Sequence, residues 1–154
     1  MPNKLIPVAV PWKVSPSISG IHICIEEDGD CVVRCEAYSR LEPNPWSGRV
    51  SLLLGAAGWV RTYPLVGGRD TLPERGFDSS ALPNHLSPEQ FVAEWVACCQ
   101  CPDPGVYQVA ESLWLAETNG QKWSLEHFVV SGRDMWFECL SRSFAWEKIE
   151  RQPG

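Results

Sequence analysis

Residues 106–130 read VYQVAESLWLAETNGQKWSLEHFVV, and how this stretch folds decides how the rest of the chain is arranged. Two runs of alternating apolar residues flank Thr118-Asn119-Gly120-Gln121. An Asn-Gly pair between such runs predicts a two-residue hairpin turn, in which both central residues take φ > 0. Counting back from that turn sets Glu117 against Lys122, Ala116 against Trp123, Trp114 against Leu125 and Ser112 against His127. With Gly132-Arg133 as the next turn, Val130 meets Met135 and His127 meets Glu138. Ser112, His127 and Glu138 then stand in one row across three strands, with opposed Cβ atoms ~5 Å apart.

That row admits two readings. Ser112 as nucleophile, His127 as general base and Glu138 as orienting acid would make a small hydrolase. Acyl transfer also needs oxyanion donors, which a regular strand lacks because its amides serve the ladder. No Gly-x-Ser-x-Gly surrounds Ser112. The row is therefore expected to be a polar seam satisfied within the sheet.

Outward from this stretch, the remaining elements read as follows. Gly20–Glu27 and Cys31–Tyr38 alternate as a strand pair about Asp28-Gly29-Asp30. A three-residue loop sets Ile25 beside Val33 and Ile23 beside Cys35, which makes one face apolar. Arg49–Leu54 and Trp59–Tyr63 read as two strands around Gly55-Ala56-Ala57-Gly58. Met135–Trp146 reads as strand from its aromatic content, although Trp136, Leu140 and Phe144 also have helical spacing. Residues 2–19, with Pro2, Pro7, Pro11 and Pro16, read as an extended arm along an edge rather than a core strand. A helix is predicted over 88–99: Ser87 is the N-cap, Pro88 the first helical residue and Gln90 the close of a capping box. Phe91, Val92, Trp95, Val96 and Cys99 form its apolar stripe.

The expected architecture is a single domain over 1–154 of the α+β class. It comprises a mainly antiparallel, twisted sheet of about six or seven strands with the 88–99 helix packed on one face. The stretch 65–86 lacks periodicity and reads as a long loop, either a binding loop or a solvated insertion, holding Arg69, Asp70, Glu74, Arg75, Phe77, Asp78 and His85.

Composition narrows the function classes. The chain has 154 residues, net charge −6, eight Trp and seven Cys. Its Lys and Arg are scattered singly, which argues against nucleic-acid backbone binding and against an anionic membrane surface. No apolar run approaches the ~20 residues of a membrane span, and the broken apolar stretch at Leu5–Val10 is no secretory leader. A cytoplasmic location and free thiols are expected, in keeping with the odd cysteine count.

Metal binding has weak candidates. Cys98, Cys99 and Cys101 crowd one helix end, and Cys99 and Cys101 with His85 would make a partial ligand set. Cys31 and Cys35 lie ~13 Å apart along a strand, too far to share one ion. Phosphate-loop, dinucleotide, zinc-helix and kinase signatures are absent from the sequence. No cofactor is expected.

The functional expectation is thus a small acidic protein-interaction module without catalysis. Such a module would be an adaptor or an immunity-like inhibitor of a basic protein partner, with Trp12 and Trp46 on Pro-rich loops as contact residues. The competing expectation is the small hydrolase or ligand-binding enzyme using Ser112, His127 and Glu138.

Overall fold

The computed structural model describes residues 2–14, 21–39, 45–64, 76–82, 90, 93, 97, 105–131 and 135–149. Among these residues the chain is mainly β, with ten strands in two sheets. This replaces the expected α+β class and its single sheet of six or seven strands, because the apolar faces that meet belong to two sheets rather than to a sheet and a helix. The strands are β1 (Lys4–Pro7), β2 (Lys13–Val14), β3 (His22–Ile25), β4 (Cys31–Ser39), β5 (Trp46–Gly55), β6 (Trp59–Pro64), β7 (Val106–Ala110), β8 (Glu126–Ser131), β9 (Met135–Ser141) and β10 (Ser143–Ile149). One sheet runs β1-β7-β8-β9-β6 and the other β10-β5-β4-β2, with β3 also paired to β4. Every strand pairing is antiparallel.

The main core lies between the sheets. Val33, Leu52 and Leu54 from one sheet meet Val106, Phe128, Val130, Phe137 and Cys139 from the other, all buried. Because side chains alternate along a strand, the other face of the β1–β6 sheet carries a second cluster: Leu5, Tyr107, Val109, Val129 and Trp136. Phe77 and Leu82 cover that cluster from outside the sheet. The first sheet is therefore buried on both faces, which is why β9 reads almost continuously buried.

The Asn-Gly hairpin does not form. Leu113–Glu117 is a short helix, α1, with Ser112 as its N-cap, and Gly120–Trp123 is a 3-10 turn. Asn119 takes the expected left-handed conformation at φ 56°, but Gly120 opens the 3-10 turn. A Cβ at 120 would lie 2.5 Å from Leu115 Cδ1, so any larger residue there would force that side chain to move. Leu, Ala and Glu after a capping serine favour helix locally, and that preference wins over the alternating pattern. The expected cross-strand pairs from Ser112–His127 to Glu117–Lys122 are thus not strand pairs.

Other registers shift without changing faces. His127 stands opposite Leu140 and Val129 opposite Glu138, two residues from the expected pairing. Ile23 pairs with Val33 and Ile25 with Cys31, around a longer loop than three residues. A two-residue slip keeps every side chain on its face, so burial alone does not distinguish the registers. The strand β3 does run past its cover: Ile25 is 60% exposed.

The proline-rich arm is also revised. Leu5 is fully buried in edge strand β1, opposite Val109, and Trp12 is 1% exposed in the main core. Pro7 ends β1, where its missing N–H costs least. The last segment divides at Arg142 into β9 and β10, which belong to different sheets. Phe144 and Trp146 therefore pack with the main core rather than sharing a face with Trp136 and Leu140. Of the predicted 88–99 helix, Gln90, Ala93 and Ala97 are helical and exposed. Its apolar stripe and its packing lie outside the described residues. So does the turn at Gly132-Arg133. No helix among the described residues is long and apolar enough to cross a membrane.

Candidate functional site: a buried Ser–His–Glu–Arg chain

Four elements deliver one side chain each to the outer face of the β1–β6 sheet. Strand β7 ends at Ala110, and Glu111, at φ 53°, turns the chain out of the sheet. Ser112 then caps α1 by accepting a hydrogen bond from Leu115 N–H at 3.0 Å. Asn3 pins the same corner: its side chain accepts from Leu113 N–H at 2.9 Å and its own N–H donates to Glu111 O at 3.0 Å. His127 rises from β8, Glu138 from β9 and Arg61 from edge strand β6, directly opposite Glu138.

These side chains form a continuous hydrogen-bonded chain. Ser112 Oγ lies 2.7 Å from His127 Nδ1, and His127 Nε2 lies 2.7 Å from Glu138 Oε1. Arg61 completes it with a two-pronged contact, Nη2 to Oε1 at 3.0 Å and Nε to Oε2 at 3.2 Å. Planar guanidinium and carboxylate groups suit this geometry. The donor inventory assigns a proton to Nε2, because the carboxylate can only accept. Nδ1 then accepts from the Ser112 hydroxyl, whose oxygen still accepts from Leu115 N–H.

The chain is enclosed from Ser112 to Glu138 and opens to solvent at Arg61, whose side chain is 34% exposed. Ser112 is 7% exposed, and His127 and Glu138 are each 1% exposed. Trp114 meets the imidazole edge-on, with centroids 5.3 Å apart, and its ring lies 3.8 Å beneath the Arg61 guanidinium carbon. Phe77 closes another side at 6.3 Å from the imidazole. Burial pushes the Glu138 carboxyl up, but the hydrogen bonds from His127 and Arg61, with the Arg61 charge, outweigh it and hold the group below its ordinary value.

A pH dependence follows from that direction. A carboxyl whose folded pKa is depressed contributes stability that is present above the unfolded pKa and is lost as pH falls through the folded one. The wild-type protein should therefore lose unfolding free energy as pH drops below the ordinary Glu value of 4.5. Denaturant titrations of Glu138→Gln should show a shallower decline over that window. Parallel slopes for the two proteins would show that Glu138 is not held ionised by its partners.

Ser, His and Glu follow one another as in an acyl-transfer triad, but the ring nitrogens are exchanged: Nδ1 faces the serine and Nε2 the carboxylate. Leu115 N–H serves Ser112 Oγ, Leu113 N–H serves Asn3 and Ala116 N–H serves Ser112 O. These three amides are therefore not open to an oxyanion.

The chain matches no protein-family model, no curated protein and no solved structure.

The remaining sequence candidates are dispersed. Trp12 is a core residue, edge-on to Trp146 at 5.6 Å, and not the surface contact expected of it. Trp46 opens β5, partly buried against the core, with Lys148 Nζ 4.6 Å over its ring. Phe77 is 5% exposed and covers Trp136 and His127. Arg69, Asp70, Glu74, Arg75 and His85 lie outside the described residues, as do Cys98, Cys99 and Cys101. Asp78, from the same loop, joins the fold: its N–H donates to Asn3 O and its carbonyl accepts from Leu5 N–H, both at 3.0 Å.

Cys31, Cys35 and Cys139 are buried thiols pushed up by burial to about 11, about 12 and about 12, so they are poor nucleophiles. Among the described residues no group of three or more His, Cys, Asp or Glu is placed to hold a metal ion. Sequence reading missed Arg61 and Trp114 as members of the site. The available signal was parity, because Arg61 lies on a strand between Trp59 and Tyr63, and a cation on a covered face needs a carboxylate.

Proposed function

We propose that the protein is a non-catalytic protein-interaction module. On this reading the Ser112–His127–Glu138–Arg61 chain is a structural brace that ties the segment 112–125 onto the sheet. The observation that carries it is the closure of the chain: the serine hydroxyl is buried and shared between a helix cap and the imidazole. A nucleophile must reach a substrate, and this one is satisfied on both sides. The braced segment presents large apolar side chains outward instead, Leu113 at 49% and Trp123 at 53% exposed. Exposed leucine and tryptophan on a rigid support suit a protein contact. The net charge of −6 favours a basic partner through electrostatic steering.

Ser112→Ala tests this directly. Loss of the cap and an unpaired buried imidazole nitrogen should together cost about 2 kcal/mol. The melting temperature should fall by about 4–8 °C. Hydrolysis of a panel of activated esters should be the same for Ser112→Ala as for wild type. One observation favours a second reading, a small hydrolase: both contacts of the imidazole are 2.7 Å, short enough for proton transfer. Turnover by wild type that vanishes in a folded Ser112→Ala would establish that reading in place of the first.

A further inference from the structure

One end of the sandwich gathers four turns. Asp30 Oδ1 accepts from Ala56 N–H at 3.0 Å, which joins the β3–β4 loop to the β5–β6 turn. Gly58 N–H donates to Leu140 O at 2.8 Å and Arg142 N–H to Gly55 O at 2.9 Å, adding the β9–β10 corner. Arg142 Nε donates to Trp123 O at 3.1 Å, adding the braced segment. Leu125 seals the joint, its Cδ1 3.1 Å from where a Cβ on Gly58 would stand.

This end carries exposed apolar side chains and segregated charge. Ile25 is 60%, Trp123 53% and Trp59 40% exposed. Beside Ile25, the loop Glu26-Glu27-Asp28-Gly29-Asp30 exposes all four of its carboxylate residues. Its shape is fixed by Glu26 N–H to Asp30 O at 2.9 Å and Asp30 N–H to Asp28 Oδ1 at 3.1 Å. Around Trp123 stand cations instead. Lys122 Nζ lies 5.9 Å over its ring, Arg142 bonds its carbonyl, and both residues are exposed. An acidic lobe with an isoleucine thus adjoins a cationic lobe with two tryptophans.

Surfaces that carry both halves of a complementary pair side by side are suited to isologous contact, where each copy offers the other the same patch reversed. We propose that this end is a docking surface for a second copy of the chain, about a two-fold axis. Each acidic β3–β4 loop is set against the Trp59–Trp123 lobe of the other copy. The contact buries Ile25, Trp59 and Trp123 and pairs the loop carboxylates with Lys122 and Arg142. Leu113, beside Asn3 at the far end of the segment, stays outside it and is the part of the braced segment left for the basic partner of the proposed function. The inference stands apart from whether Ser112 is catalytic, because it uses no residue of the buried chain.

Sedimentation equilibrium of the purified full chain tests it. Wild type should sediment at twice its 17.2 kDa chain mass at micromolar concentration. Trp123→Ser, a surface change, should weaken association by about a hundredfold, since a hot-spot residue is lost twice per dimer. Glu27→Lys and Lys122→Glu should each weaken it by about tenfold. An equimolar mixture of those two variants, and the double variant Glu27→Lys/Lys122→Glu, should recover most of the loss, because the reversed charges meet again across the axis. A chain that stays monomeric at every concentration overturns the proposal. So does a dimer whose affinity ignores Trp123→Ser and both charge reversals.

Discussion

Arg61→Ala should destabilise the protein by about 3 kcal/mol, because it strands a buried carboxylate without its cation. Glu138 is 1% exposed, and Arg61 supplies two of the three hydrogen bonds that its oxygens accept from side chains in the described chain. Truncation also removes the guanidinium from the Trp114 ring, 3.8 Å away, so the braced segment loses a contact of its own. The melting temperature should fall by about 6–12 °C at neutral pH. Arg61→Lys should cost less, since it keeps the charge while losing the planar fork. The deficit of Arg61→Ala should shrink in acid. Wild type loses the contribution of ionised Glu138 as pH falls through its depressed pKa, whereas the variant has little of it to lose. A deficit unchanged from neutral pH to below the ordinary carboxylate range would mean that the pair is not an ionic contact.

Trp136→Ala should be at least as damaging, at about 3–5 kcal/mol, because it opens a cavity under the cover of the outer face. Trp136 is 1% exposed and stacks on Tyr107 with centroids 6.3 Å apart. Phe77 packs on it at 5.5 Å, so the tryptophan also seats the segment 76–82. Amide exchange at Asp78 should accelerate in Trp136→Ala, as its bridge to Asn3 and Leu5 loses the side chain beneath it. Trp136→Phe should cost far less than the alanine variant. Among the described residues the buried indole Nε1 has no hydrogen-bond partner, so its removal forfeits no bond to them. An alanine variant with near-native stability would show that the second cluster contributes little to the fold.

The parts of this architecture that were legible in the sequence depended on alternation, and alternation is preserved under a two-residue slip. A two-residue hairpin and a register two residues off put Ser112, His127 and Glu138 in one row, and the structure contains neither. The structure brings them together because His127 and Glu138 keep their face in either register, and because helix capping returns Ser112 to the imidazole. The short helix was harder to see. LWLAE fits an alternating strand as well as a helix, and only the capping serine and the helix-forming leucine, alanine and glutamate separate the two. The division into two sheets was not legible at all. Nothing in Ser141-Arg142-Ser143 or in Gly55–Gly58 announces that the chain crosses from one sheet to the other, since the choice is made by which apolar faces meet. Trp12 failed for a related reason: a proline-flanked tryptophan reads as a surface group, yet its area is most cheaply buried against Trp146.

The closure of the Ser112–His127–Glu138 chain can be tested by one measurement, intact-mass analysis of the native protein after exposure to a fluorophosphonate. Such reagents phosphonylate a serine only where an activated hydroxyl is open to attack. With Ser112 Oγ buried and shared between Leu115 N–H and His127, the expected result is unmodified protein at neutral pH. A single adduct on Ser112 that disappears in His127→Gln would contradict the brace and establish a catalytic serine.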